Sequence, residues 1–124
     1  MGQVQRSFTG VLLVIFATVF VVPKAFAEPI FYSGNQLLEQ LRDWKRSNSR
    51  SIVDAAAGYG FVVGVHDARN GVQIDRACFR TGEGVTQGQI VDVVLRFLEG
   101  YPSVRHYSGA ALVVVALSEA FPCK

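Results

Sequence analysis

"IVDAAAGYGFVVGVHDARNGVQI", Ile52 to Ile74, is the stretch on which the fold turns. Read as a hairpin, "FVVGV" and "VQI" are strands and Arg69-Asn70-Gly71 is the turn, Asn-Gly being a strong short-range hairpin signal. Read as a helix, Gly71 is the left-handed residue that ends it. Ala55, Ala56 and Ala57 favour helix, whereas Gly58, Gly60 and Gly64 each cost about 1 kcal/mol relative to alanine. The alanine run precedes the rest and favours a helix from about Ser51, with Ile52, Ala56, Tyr59 and Val63 on one face. Its glycines then need a compensation. Close approach of another helix supplies one, because glycine has no side chain to hold a neighbour away. A hairpin over 61–76 remains the alternative.

The segments on either side read as helices. In "SGNQLLEQLRDWKR", Ser33 and Gln36 have capping-box spacing, in which each side chain satisfies an orphan backbone N–H. Leu37, Leu38, Leu41 and Trp44 follow at helical spacing, predicting a helix over about 35–46 with Glu39, Asp43 and Lys45 outward. "SNSR" breaks the pattern. Residues 72–85 have no sustained period and read as a loop containing Cys78. Thr86 and Gln89 repeat the capping box and open a third helix, with Ile90, Val93, Val94 and Phe97 as its buried stripe. Gly100 and Pro102 close it. The last element, about Tyr107 to Ala120, holds three valines that lean towards strand, but its alanines and leucines lean towards helix. Pro122 stops it. The expectation is an all-α, single-domain bundle of about four main helices.

The start of the chain reads as an export signal. Arg6 precedes the apolar run "GVLLVIFATVFVV", Gly10 to Val22, and Ala25-Phe26-Ala27 supplies the small residues of a cleavage site. The run falls short of the roughly 20 residues a membrane-spanning helix needs. Residues 1–27 are therefore expected to be a cleaved signal peptide and 28–124 the working domain, exported to the periplasm and free of the membrane after cleavage. Arg6 and Lys24 leave with the signal, so equal numbers of acidic and basic residues remain. A nucleic-acid binder concentrates basic excess on one face, and that class is disfavoured. Cys78 and Cys123 are the two cysteines, and in an oxidising compartment pairing is the default.

No catalytic constellation emerges. His66 and Asp67 are adjacent, so on a helix their side chains are expected to diverge by about 100°. His66 and His106 are the two histidines, and neither has the spacing of a zinc-protease helix. "GYGFVVG" and "GEGVTQG" lack the glycine spacing and context of phosphate-binding loops. The reading is a non-enzyme with no catalytic, metal or cofactor-binding residues and no cofactor. Two features suit a protein partner. Trp44 lies among Arg42, Lys45, Arg46 and Arg50, although a buried Trp44 on a solvated helix is the simpler reading. The loop "FRTGEG" follows Cys78 directly, so its base is fixed while its tip can project, which lowers the entropy lost on binding, although a plain connection between helices is the simpler reading. Phe79, Arg80, Thr81, Glu83 and Trp44 are the candidate partner-binding residues.

Taken in order, "GNQLLEQL", "GFVVGVHD", "CFRTGEGVTQGQIVDVVLRFLEGYP", "RH" and "ALVVVALSEAFPC" resemble the Rap/Tai immunity proteins, which protect bacteria against type VI secretion amidase effectors. The resemblance implies a periplasmic, all-helical, often dimeric protein that binds a peptidoglycan amidase of the papain-like kind and occludes its active-site groove. Similar proteins usually carry a further cysteine pair at the positions of Leu41 and Gly58 here. Loss of that pair as a unit suggests that Leu41 packs over the bare backbone of Gly58. Arg80 stands near where the family often has proline, so this loop is expected to differ in shape or target. The alternative reading is a general periplasmic chaperone-like or binding protein, which shares export, size and a disulfide.

Overall fold

In the computed structural model, residues 31–46 and 51–124 are described. The expected signal peptide, the "SNS" of the first linker and Arg50 lie outside the described residues. Four α-helices follow one another: α1 (Gly34–Arg46), α2 (Ile52–Arg69), α3 (Gln87–Gly100) and α4 (Gly109–Ala120), with a 3₁₀ turn at Pro102–Val104 before α4. The hairpin alternative fails. α2 continues to Arg69, the Asn70 amide donates to the His66 carbonyl, and Gly71 turns the chain at φ +77°. Asn-Gly here caps a helix, because the next residues fold into a tight turn closed by a bridge between Ile74 and Ala77.

Both predicted capping boxes form. The Ser33 amide donates to Gln36 Oε1 at 2.9 Å, and the Gln36 amide donates to Ser33 Oγ at 3.4 Å. Thr86 and Gln89 make the same reciprocal pair at the start of α3. α2 has its own cap, with the Asp54 amide donating to Ser51 Oγ.

The core takes Leu37, Leu38 and Leu41 from α1, Val62 from α2, Ile90, Val91, Val94 and Leu98 from α3, and Leu112, Val113, Ala116 and Leu117 from α4. The expected faces of α2 and α3 are therefore rotated. On α2 the buried positions are Ala55, Gly58 and Val62; Ile52 is 79% exposed, although sequence spacing placed it inward. On α3, Val91 and Leu98 are fully buried, whereas Val93 and Phe97 pack at the margin. Both helices carry apolar residues around most of their circumference, so spacing alone admits two inward faces.

α1 and α2 make the most intimate contact. A Cβ on Gly58 would lie 2.6 Å from Gln40 Cβ, whereas one on Gly60 or Gly64 would meet nothing within 4 Å. Close helix approach thus accounts for one of the three glycines. The neighbour over Gly58 is Gln40 rather than the expected Leu41, whose side chain turns fully into the core.

Two further ties set the frame. The segment before α1 lies against the segment before α4, with the Gly34 amide donating to the Tyr107 carbonyl and the Gly109 amide to the Tyr32 carbonyl. Arg105 reaches back to the Leu98 and Glu99 carbonyls, satisfying acceptors that the end of α3 leaves open. Arg42–Glu99 and Lys45–Asp92 ion pairs link α1 to α3 on the surface. Among the described residues no helix is long and apolar enough to cross a membrane.

Candidate functional site

The segment from Cys78 to Val85 is fastened to the body by a disulfide and several hydrogen bonds. Cys78 and Cys123 form a disulfide, with Cα atoms 5.5 Å apart. Beside it, the Arg80 amide donates to the Phe121 carbonyl at 2.9 Å, and the Gly71 amide donates to the Phe79 carbonyl at 2.8 Å. The chain after α4 and the cap of α2 therefore flank Phe79 on opposite sides. The Thr81 amide donates to Asn70 Oδ1 at 3.1 Å. A further tie comes from α2, where His66 Nε2 lies 2.9 Å from Thr81 Oγ1.

The Phe79 side chain completes this anchorage. It is only 1% exposed and stands in the main core cluster, with its ring 5.7 Å from that of His66. Its expected place on a projecting loop is corrected: the disulfide and the Gly71 bond hold the backbone of residue 79 at the base, so the ring turns inward. Burial of a phenylalanine there contributes roughly 1.5–3 kcal/mol relative to exposure. The tip begins at Arg80. Arg80, Gly82, Glu83 and Gly84 are exposed, Thr81 is half-buried, and Gly84 at φ +86° reverses the chain towards α3. A cavity of about 560 Å³ opens beside the loop, bordered by Gly71, Arg80, Thr81, Gly82, Pro122 and Lys124.

His66 departs from its sequence reading. Its Nδ1 lies 2.9 Å from Asp67 Oδ1, so the two neighbouring side chains fold towards each other instead of diverging. A side chain that rotates about its own torsions overcomes the 100° offset of its Cα–Cβ bond. The ring is thus fixed at both nitrogens and is mostly buried, which makes it a positioned strut between α2 and the loop.

Of the two readings of Trp44, exposed anchor or buried core residue, the structure favours exposure. It is 41% exposed and stacks on Tyr59 of α2, the ring centroids 4.6 Å apart. Tyr59 in turn donates its hydroxyl to Gln87 Oε1 at the start of α3. Arg42 and Lys45, expected to ring the indole, are drawn to Glu99 and Asp92 of α3. The structure does not bring Trp44 together with the loop; it belongs to the α1–α2–α3 seam, whereas the loop sits at the α2–α4 end. Among the described residues no group of three or more His, Cys, Asp or Glu is close enough to hold a metal ion.

The fold and this site define a small all-helical domain, stapled by one disulfide, that presents an immobilised polar loop. A family model described as Rap1a immunity proteins matches residues 33–123, from the first capping box to the second cysteine. The chain belongs to that family, and it is an immunity protein directed against a secreted effector. No curated protein matches the chain.

Proposed function

We propose that this protein acts in the periplasm, where it binds a cognate peptidoglycan amidase of a type VI secretion system and blocks its active-site groove. Membership of the immunity family is the observation that carries the reading. The mechanism needs no chemistry from the immunity protein. A rigid projection that fills a substrate groove excludes the peptide strand, and rigidity before binding reduces the ordering cost of the complex.

Arg80, Thr81 and Glu83 are the residues assigned to that projection, with Trp44 as a separate contact on the flank. Phe79 acts from beneath, holding the loop base. The exposed charges at Arg80 and Glu83 fix register, while the disulfide keeps the loop ordered outside the cytoplasm. Two copies associating into a dimer would present two such loops.

The deciding experiment expresses the amidase encoded beside this gene in the periplasm, with and without this protein. Survival of the co-expressing cells and lysis of the others is the expected result. Equal lysis in both would defeat the proposal.

A further inference from the structure

α2 and α4 run side by side in the same direction. Phe61 lies against Gly109 near one end, and past the other end Gly71 and Phe121 bond to consecutive residues, Phe79 and Arg80. Between the helices is a groove of about 950 Å³ lined along most of its length by Phe61, Gly64, Val65, Ala111, Val114 and Val115. Val115 is 40% exposed, and Ile74 at the groove's edge is 44% exposed, so apolar surface is left open to water.

Polar groups gather at the end where both helices finish. Arg69, Ser118 and Glu119 border it from the helices, and Asp75 and Arg76 from the turn that follows α2. Among the described residues, none of these four charged side chains takes part in an ion pair. Arg69 Nε and Ser118 Oγ are enclosed with no hydrogen-bond partner. The groove is therefore apolar for most of its length and carries unpaired charge of both signs at one end.

That division selects the occupant. A wholly apolar chain would strip water from the charged end and return nothing. A head with only a negative charge would meet Asp75 and Glu119 as well as the arginines. A head carrying both signs has a partner for each. We infer that the groove binds one molecule of a single-chain zwitterionic amphiphile, with its acyl chain along the apolar length and its phosphate and ammonium at the charged end. Arginine suits the phosphate through paired, charge-assisted hydrogen bonds. From Phe61 to Arg69 the helix advances about 12 Å, which matches a short acyl chain. The site is independent of the effector reading, because no effector contact enters the argument.

The test titrates the disulfide-bonded protein calorimetrically with dodecanoyl lysophosphatidylethanolamine below its micelle concentration. Monododecanoylglycerol, which has the chain without the charges, is titrated alongside. The expected result is saturation at one lipid per chain, about tenfold tighter for the zwitterion than for the neutral lipid. Ala111→Trp, at an exposed position that fills the groove, should abolish binding of both while leaving the melting temperature in place. Arg69→Gln should bring the two affinities together, and Val115→Asp, a second groove variant, should weaken both. Absence of saturable binding, equal affinities in the unaltered protein, or binding insensitive to Ala111→Trp and Val115→Asp would overturn the inference. So would a dimer in solution that Ala111→Trp converts to monomer, since the groove would then be covered by a second copy.

Discussion

A methyl group placed on Gly58 would sit 2.6 Å from Gln40 Cβ and 3.1 Å from Gln40 Oε1, so α1 and α2 touch at a point where a side chain has no room. The Cβ of Gln40 is fixed to its own helix and cannot swing aside as the end of a long side chain would. Gly58→Ala is therefore expected to destabilise the domain by about 1–3 kcal/mol through overpacking, despite alanine's higher helix propensity. Gly60→Ala and Gly64→Ala, with open space around the added atom, should each stabilise by about 0.5–1 kcal/mol. Urea midpoints of the three variants check this; the same sign for all three would dismiss the close approach.

The contrast between these glycines shows what sequence carries and what it does not. Caps are local, and Ser33 with Gln36 or Thr86 with Gln89 announce helix starts because both partners lie within four residues. Helix α2 was legible from its alanines. Which of its glycines faced α1 was not, since that depends on how two distant helices cross. The same limit moved Phe79 from the tip to the core: beside a cysteine in a polar loop it reads as surface, and only the docking of Phe121 and Pro122 shows otherwise. A large aromatic directly after a cross-linked cysteine is a signal that could have been read as an anchor. The His66–Thr81 contact spans 15 residues and left no periodic trace.

The disulfide joins residues 45 apart in sequence, closing a loop that contains α3 and α4. Constraining such a loop in the unfolded chain contributes about 4 kcal/mol in the entropy model. Cys123→Ser should lower the melting temperature under oxidising conditions and change little once reductant has opened the bond in the parent. An equal difference between the two proteins in reductant would show that the substitution acts through something other than the cross-link.

His66→Phe keeps an aromatic ring against Phe79 but removes the bond to Thr81 Oγ1. A single hydrogen bond of this kind is worth about 0.5–1.5 kcal/mol net, so the global loss should be small. The local effect should be larger. Amide exchange at Arg80 and Thr81 is expected to rise while amides inside α3 keep their protection. Uniform acceleration across the domain would mean that His66 supports the core and does not specifically restrain the loop.

Loop chemistry and loop support are separable by protection assays. Arg80→Glu and Glu83→Arg alter exposed charges without touching the core, so they should weaken protection against the effector while thermal unfolding stays unchanged. Phe79→Ala should also lose protection, but with a loss of about 3–5 kcal/mol in stability because it empties a core position. Full protection from both charge variants would move the docking surface elsewhere, with the Trp44 flank next in order.

Tyr32 sits between the start of α1 and Phe61 of α2, its ring centroid 4.4 Å from that of Phe61, and its hydroxyl is enclosed without a hydrogen-bond partner. Desolvation by burial, followed by the negative charge of Asp54, raises its pKa above the ordinary 10.0. The folded state thus holds the phenolic proton more tightly than the unfolded chain does. Its favourable contribution is fully present below the unfolded value and disappears as pH rises through the folded one. Stability should consequently fall on the alkaline side, beginning near pH 10. Tyr32→Phe removes both the titration and an unsatisfied polar atom while keeping the ring contact. The variant is expected to be as stable as the parent or more so at neutral pH, and to lose less stability between neutrality and the alkaline limb. Parallel pH profiles of unfolding free energy for the two proteins would show that the hydroxyl is in effect solvated, and the enclosure argued for the α1–α2 junction would not hold.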